Sequence, residues 1–293
     1  MAPPVRKSLP VGDGALSYLD WESDAPRLVF AHATGFNAQT YSGLLAPLSA
    51  HLHVTALDQR GHGFSTLPAP PGFAGNWTRF RDDLIGFLDA LGGPPAILAG
   101  HSMGATVSMM TAVARPDLVR ALVLVEPVFV PLKAEWPLRL TRLLRTGKPV
   151  LPIAQRAARR RATFESAAAM EALYRGRGAF KNWPDEMVRD YVAGGTLANA
   201  DGSVRLACAP RVEAEIFDHP RCGAQRMANR LSCPATLIRG QGHGTTCHAP
   251  EAAEFQRRKP DARVLAVAGV GHFLPMERPE IVRAEILRIA ERG

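Results

Sequence analysis

Short apolar runs alternate with longer helix-period stretches along the first 126 residues. Residues 15–21, 27–31, 53–57, 95–99 and 121–125 read as strands, being apolar runs too short for helices. Between them, 40–50, 76–91 and 103–114 read as helices. In the second of these, Phe80, Leu84, Phe87, Leu88 and Leu91 fall on one face of a 3.6-residue period. Strand then helix, repeated, predicts a mostly parallel sheet covered on both faces.

The pattern changes at Pro127. From there to Leu231 strand-like runs stop, and Ala- and Arg-rich helical stretches take over at 135–145, 152–175 and 184–192. After Cys233 the alternation resumes, with strands at 235–239 and 263–267 and helices at 250–258 and 278–289. This order predicts an α/β core in two parts, residues 1–126 and 232–293, interrupted by a helical insertion over 127–231.

Composition sharpens the picture in three places. A chain of 293 residues, 46% hydrophobic and 21% charged, suits one soluble core with an insertion. No run of 18 apolar residues occurs, so membrane insertion is not expected. The opening MAPPVRKSLPVGDG lacks an apolar signal-peptide core, and Cys208, Cys222, Cys233 and Cys247 form no C-x-x-C pair. Reduced thiols and a cytoplasmic location are expected. The net charge of +8 is local: residues 131–180 hold 11 basic and 3 acidic side chains, and the remainder balances. That excludes a uniformly basic nucleic-acid binder and leaves a basic insertion on a neutral body. It serves as a solvated helical face or as an attractor of anionic molecules.

The sharpest chemical signal is Gly100-His101-Ser102-Met103-Gly104, between an apolar strand and a helical stretch. A nucleophile on a tight strand-to-helix turn needs small residues two before and two after it, which Gly100 and Gly104 supply. The turn lifts the Ser102 hydroxyl above the strand ends and aims the Met103 N–H into the same space. A serine hydroxyl needs a base. His272, in the loop after the last strand, is the candidate, because loops after parallel strands converge on one edge of the sheet. His101 is expected to be structural. His243 and His248 flank Cys247, but no second ligand cluster accompanies them, and no metal is expected.

Together with His32-Ala33-Thr34-Gly35-Phe36 after an early strand and Asp58-Gln59-Arg60-Gly61-His62-Gly63 after the next, these landmarks resemble those of the α/β-hydrolase superfamily over nearly the whole chain. The resemblance implies an α/β-hydrolase fold, a mostly parallel central sheet flanked by helices, with a helical cap inserted between two core strands. It implies that the 32–36 loop completes an oxyanion hole. Met103 gives one backbone N–H, and Ala33 or Thr34, the former standing where the family commonly has glycine, gives the second. Asp58 and Arg60 are expected to shape their loop.

Family triads usually take their acid just after the strand that follows the insertion, but Gly240 to Cys247 contains no carboxylate. The other known placement is the end of the strand before the insertion, where Val123-Leu124-Val125-Glu126 ends in one. A carboxylate ending a buried apolar strand is costly unless paired, and His272 Nδ1–H is a suitable partner. The expected triad is therefore Ser102, Glu126 and His272. An arginine partner is the alternative role for Glu126, with Glu251 or Asp218 then the acid. A serine at 102 also excludes the relatives that use an aspartate nucleophile, epoxide hydrolases and haloalkane dehalogenases.

The implied reaction is cofactor-free hydrolysis of an ester or lactone of small to medium, mostly apolar shape through an acyl-serine. Carbon–carbon bond hydrolysis, acyl transfer and perhydrolysis on the same triad are alternatives, as is a non-catalytic small-molecule receptor. Candidate substrate contacts are His32, Phe36, Trp136, Trp183 and Phe273, with Phe164, Tyr174, Phe180 and Tyr191 as further insertion aromatics. The expected partner is a small molecule, not nucleic acid, and a homo-oligomer is compatible with the sequence.

Overall fold

The computed structural model describes residues 3–144 and 149–291. The first part of the chain forms β1 (Val5–Val11), β2 (Gly14–Trp21), β3 (Arg27–Ala31), α1 (Ser42–Leu45), β4 (His53–Leu57), α2 (Thr78–Leu91), β5 (Ala96–His101), α3 (Met103–Ala114) and β6 (Val119–Val125). The insertion forms α4 (Glu135–Leu144), α5 (Pro152–Ala158), β7 (Thr163–Phe164), α6 (Ala167–Tyr174), α7 (Asp185–Gly195), β8 (Thr196–Ala198), β9 (Val204–Leu206) and α8 (Pro210–Asp218). The last part forms β10 (Ala235–Gly240), α9 (Ala249–Arg258), β11 (Arg263–Val267), α10 (Leu274–Glu277) and α11 (Pro279–Ala290).

The core strands pair in the order β1-β2-β4-β3-β5-β6-β10-β11. From β4 to β11 the pairs are parallel, while β2 runs against both of its neighbours. Successive strand residues face opposite sides. Val29, Ala31, Leu122 and Leu124 pack on one face with Phe80, Leu84 and Phe87 of α2, the α3 side chains and Phe255 of α9. Leu28, Phe30, Val123 and Val125 pack on the other with Leu44, Leu45 and the Val282, Ile286 and Ile289 stripe of α11. This is the expected α/β-hydrolase architecture. No helix among the described residues is long and apolar enough to cross a membrane.

Three features depart from the sequence pattern. β1 adds an edge hairpin; its sequence VRKSLPV has too few apolar residues to read as a strand, and its Pro10 is tolerated only because the strand is at an edge. The 40–50 stretch, holding Pro47, is not one helix but a single α-turn between two 3-10 turns. The insertion is not purely helical: β7, β9 and β8 form an antiparallel three-stranded sheet that splits the expected 152–175 helix. Strands of two or three residues are too short to show a period. The expected 135–145 helix ends at Leu144; its Arg145, like Lys148 of the basic segment, lies outside the described residues.

Candidate active site

The turn from β5 into α3 is as tight as its glycines require. A Cβ on Gly100 would meet the Gly104 carbonyl carbon at 2.5 Å, and one on Gly104 would meet the Ala31 carbonyl oxygen at 2.2 Å. Between them Ser102 sits at φ 58 and ψ −121, a left-handed backbone that a residue with a Cβ adopts only under constraint. Its N–H donates to Val125 O at 3.0 Å, which ties the turn to the end of β6. One residue beyond that anchor, Glu126 has φ 48. Among the described residues only three non-glycines have positive φ, and two of them are Ser102 and Glu126.

Glu126 is fully buried and its Oε2 lies 3.3 Å from His272 Nδ1. Its carboxylate also accepts from Gly240 N–H at 2.6 Å, Thr245 Oγ1 at 2.7 Å and Thr246 N–H at 2.9 Å. Burial pushes its pKa up, but His272 and the Thr246 and Thr245 donors outweigh this and hold it below the ordinary carboxylate range. Glu126 thus stays ionised against the imidazole. The alternative acids lie elsewhere. Asp218 accepts the Val150 and Leu151 N–H groups at 2.8 Å each, and Glu251 sits in the first turn of α9. The loop after β10, which lacks a carboxylate, supplies the donors that hold one. Sequence reasoning did not single out Thr245 and Thr246; the adjacent hydroxyls in that acid-free loop were the available signal.

His101 joins three loops. Its Nε2 lies 2.8 Å from His272 O, so Nε2 carries the proton and donates to that carbonyl. Its Nδ1 then accepts from Tyr41 OH at 2.8 Å, and the same hydroxyl accepts from Ala33 N–H at 3.1 Å. The chain Ala33–Tyr41–His101–His272 seats the 32–36 loop, the serine turn and the histidine loop against one another. Tyr41 is fully interior and carried no sequence motif. It also takes the Ala33 N–H, which argues against Ala33 as an oxyanion donor. Among the described residues no acceptor engages the N–H of Thr34 or Met103, and Thr34 Oγ1 lies 3.5 Å from Met103 Sδ.

Two more buried histidines brace the 32–36 loop. His32 Nε2 accepts from Gln59 N–H at 2.9 Å and its Nδ1 lies 2.7 Å from Ala33 O. His62 Nε2 accepts from Gly35 N–H at 3.0 Å and its Nδ1 lies 2.9 Å from Arg60 O. Burial lowers their pKa values, to about 4 for His32 and about 3 for His62, so both are neutral at pH 7. His32 is therefore not a substrate contact: it is wholly buried and both ring nitrogens are engaged. Asp58 and Arg60 shape the loop as expected. Asp58 accepts from the N–H groups of Ala38 and Phe64, and Arg60 forms a two-pronged pair with Asp83 at 2.7 Å.

Phe36, Trp183 and Phe273 come together beside His272. The Phe36 ring lies 5.5 Å from Trp183 and 6.2 Å from Phe273, to which it is parallel, and Phe273 lies 5.7 Å from His272. Tyr191 and Phe180 extend this wall, while Phe164 and Tyr174 pack against each other and the insertion. Trp136 does not join them. It is 74% exposed on α4 and lines a cleft of about 790 Å³ with Arg139, Leu140, Leu143 and Gly75, whose lining includes neither Ser102 nor His272. An amphipathic helix shows in sequence which side is apolar, but not what that side meets.

A family model described as "Alpha/beta hydrolase family" matches residues 28–285. The 2-(acetamidomethylene)succinate hydrolase of Mesorhizobium japonicum is 28% identical over 261 residues, 89% of this chain and 86% of that protein. The crystal structure of E-2-(acetamidomethylene)succinate hydrolase superposes with a TM-score of 0.78 at 26% identity, covering 98% of this chain and 99% of that one. 3-Oxoadipate enol-lactonase 2 of Acinetobacter baylyi is 29% identical over 157 residues, 53% of this chain and 57% of that protein. The Mycobacterium tuberculosis esterase Rv0045c superposes with a TM-score of 0.71 at 25% identity, covering 100% and 93%.

Proposed function

The chain belongs to the alpha/beta hydrolase family and is a hydrolase, and from that premise we propose that it cleaves an ester or lactone of small to medium size through an acyl-Ser102 intermediate. One observation carries the reading. Glu126, ionised and held at a strained φ, faces His272 Nδ1, which leaves Nε2 for the serine on its own strained turn. His272 takes the Ser102 proton as Oγ attacks the carbonyl carbon. The N–H groups of Met103 and Thr34 hold the oxyanion. His272 then protonates the leaving alcohol, and a water deprotonated by the same ring releases the acid. Phe36, Trp183 and Phe273 give the apolar part of the substrate its wall, with the insertion acting as a cap. The reaction takes place with a small molecule alone and needs no metal or organic cofactor.

Labelling with a fluorophosphonate probe and turnover of a p-nitrophenyl ester series test this. Wild type labels and hydrolyses with a chain-length preference, whereas Ser102→Ala folds and does neither; turnover by Ser102→Ala at the wild-type rate refutes the mechanism. A second reading has separate support in the likeness to the 2-(acetamidomethylene)succinate hydrolase along almost the whole chain and in the basic insertion. On that reading the substrate is a dicarboxylate bearing an acylamino group. Rates on that compound beside a neutral ester decide between the two. A kcat/KM that falls steeply with salt for the anionic compound alone supports the second.

A further inference from the structure

Thr246 reaches both partners of the histidine–carboxylate pair. Its Oγ1 lies 2.9 Å from the main-chain oxygen of Glu126, 3.1 Å from His272 Nδ1 and 3.5 Å from Glu126 Oε2. A hydroxyl has one proton and two lone pairs. The two shortest contacts are accounted for if that proton goes to the Glu126 carbonyl, with the Pro127 carbonyl farther off at 3.4 Å. The lone pairs then accept from His272 Nδ1–H, which is shared between Thr246 Oγ1 at 3.1 Å and Glu126 Oε2 at 3.3 Å. Thr246 also donates its own N–H to Glu126 Oε2 at 2.9 Å, so one residue fixes the ring and the carboxylate together. Thr245 closes the arrangement with a hydroxyl 2.7 and 2.9 Å from the two carboxylate oxygens.

We propose that Thr246 is a positioning residue that shares the His272 Nδ1 proton with Glu126. This rests on the Ser102–Glu126–His272 reading above. Removing the hydroxyl leaves the N–H to Glu126 in place but frees the ring on one side, so the loss is in the chemical step and not in substrate binding.

The experiment has two arms on the full-length chain. In the first, Thr246→Val lowers kcat by roughly ten- to a hundredfold with KM unchanged, and Thr246→Ser restores at least half of the wild-type kcat. A Thr246→Val kcat within twofold of wild type overturns the proposal. So does a loss that Thr246→Ser does not restore, since that marks the methyl group's packing. In the second, Glu126→Gln lowers kcat by on the order of 10⁴. A Glu126→Gln enzyme within tenfold of wild type instead overturns the triad reading, and the role of Thr246 with it.

Discussion

The α7 and α4 ends of the insertion are both amphipathic helices, yet only one has its apolar side buried. Along α7, Met187, Val188, Tyr191 and Val192 are buried against the core. Polar contacts then fix the register. Asn37 Nδ2 donates to Tyr191 O at 3.0 Å, Tyr191 OH lies 3.3 Å from Gly35 O, and Arg160 of the insertion donates to Tyr191 OH at 3.0 Å and pairs with Glu213 at 2.6 Å. Along α4 the apolar face is open: Trp136, Leu140, Leu143 and Leu144 are 60–75% exposed, and Arg139 sits 5.2 Å above the Trp136 ring. The difference teaches that the insertion grips the chain at Gly35 and Asn37 through α7, while the basic, apolar α4 belongs to the surface.

The strongest way to break this comparison is Gly194→Val. A Cβ there would meet Asn37 Oδ1 at 2.2 Å and Gln39 Cβ at 2.7 Å, so α7 must lift or the turn holding Asn37 and Gln39 must yield. Overpacking together with loss of the Asn37 hydrogen bonds amounts to about 4 kcal/mol. The expected result in urea unfolding is a midpoint far below wild type, with ester turnover lost in parallel. A wild-type midpoint shows that α7 is not packed as described.

Acid gives the next largest effect, and its sign follows from the buried histidines. His32 and His62 have folded-state pKa values of about 4 and about 3, below the histidine value of about 6.5 in an unfolded chain. The unfolded state therefore binds more protons in this window. The stability these groups contribute is complete above about pH 6.5 and is lost as pH falls towards 4 and 3, about 3 kcal/mol or more for each over the full window. Both brace the loop that α7 grips, so the α7 side loosens in acid. Urea midpoints of wild type and His62→Gln between pH 7 and 4.5 measure this. The variant is expected to lose less over that range, and parallel losses in the two proteins would remove His62 as a contributor.

Tyr191→Phe is a smaller step, removing one hydroxyl from between Gly35 O and Arg160. The expected destabilisation is about 1–2 kcal/mol, since Arg160 keeps Glu213, and kcat falls more than KM rises because the loop carrying Thr34 is what the hydroxyl steadies. A change confined to stability would make the contact a fastener only.

The same contrast marks where sequence reading succeeded. β3, β4, β11 and α3 match the predicted ranges to the residue, because each is a run of mostly apolar residues. Ser102 stands on its turn because two glycines and a serine spell out the steric need locally. Glu126 is picked out by the second acid placement known in the family together with the cost of a carboxylate ending an apolar strand, and its Oε2 lies 3.3 Å from His272 Nδ1. Tyr41, Thr245 and Thr246 carry no such signal, because their partners His101, Glu126 and His272 lie 26 to 120 residues away and no spacing connects them. Trp136 and His32, expected at the substrate from the sequence, stand respectively on an open face and inside the core.

The smallest expected effect falls on α4, and it is the one that makes the comparison two-sided. Leu140 and Leu143 are apolar by pattern but 60% and 74% exposed, so changing both to serine removes little buried surface. Propensity changes only slightly from leucine to serine in an exposed helix. Stability is expected to stay within about 0.5 kcal/mol and ester kcat within twofold of wild type. Hydrogen exchange followed by mass spectrometry should show fast amide exchange in α4 and slow exchange in α7 in both proteins, since exchange follows local burial and packing. A loss of more than about 2 kcal/mol in the double variant, or protection of α4 equal to that of α7, would mean that the α4 leucines are covered in solution as the α7 side chains are. The distinction between the two ends of the insertion would then disappear.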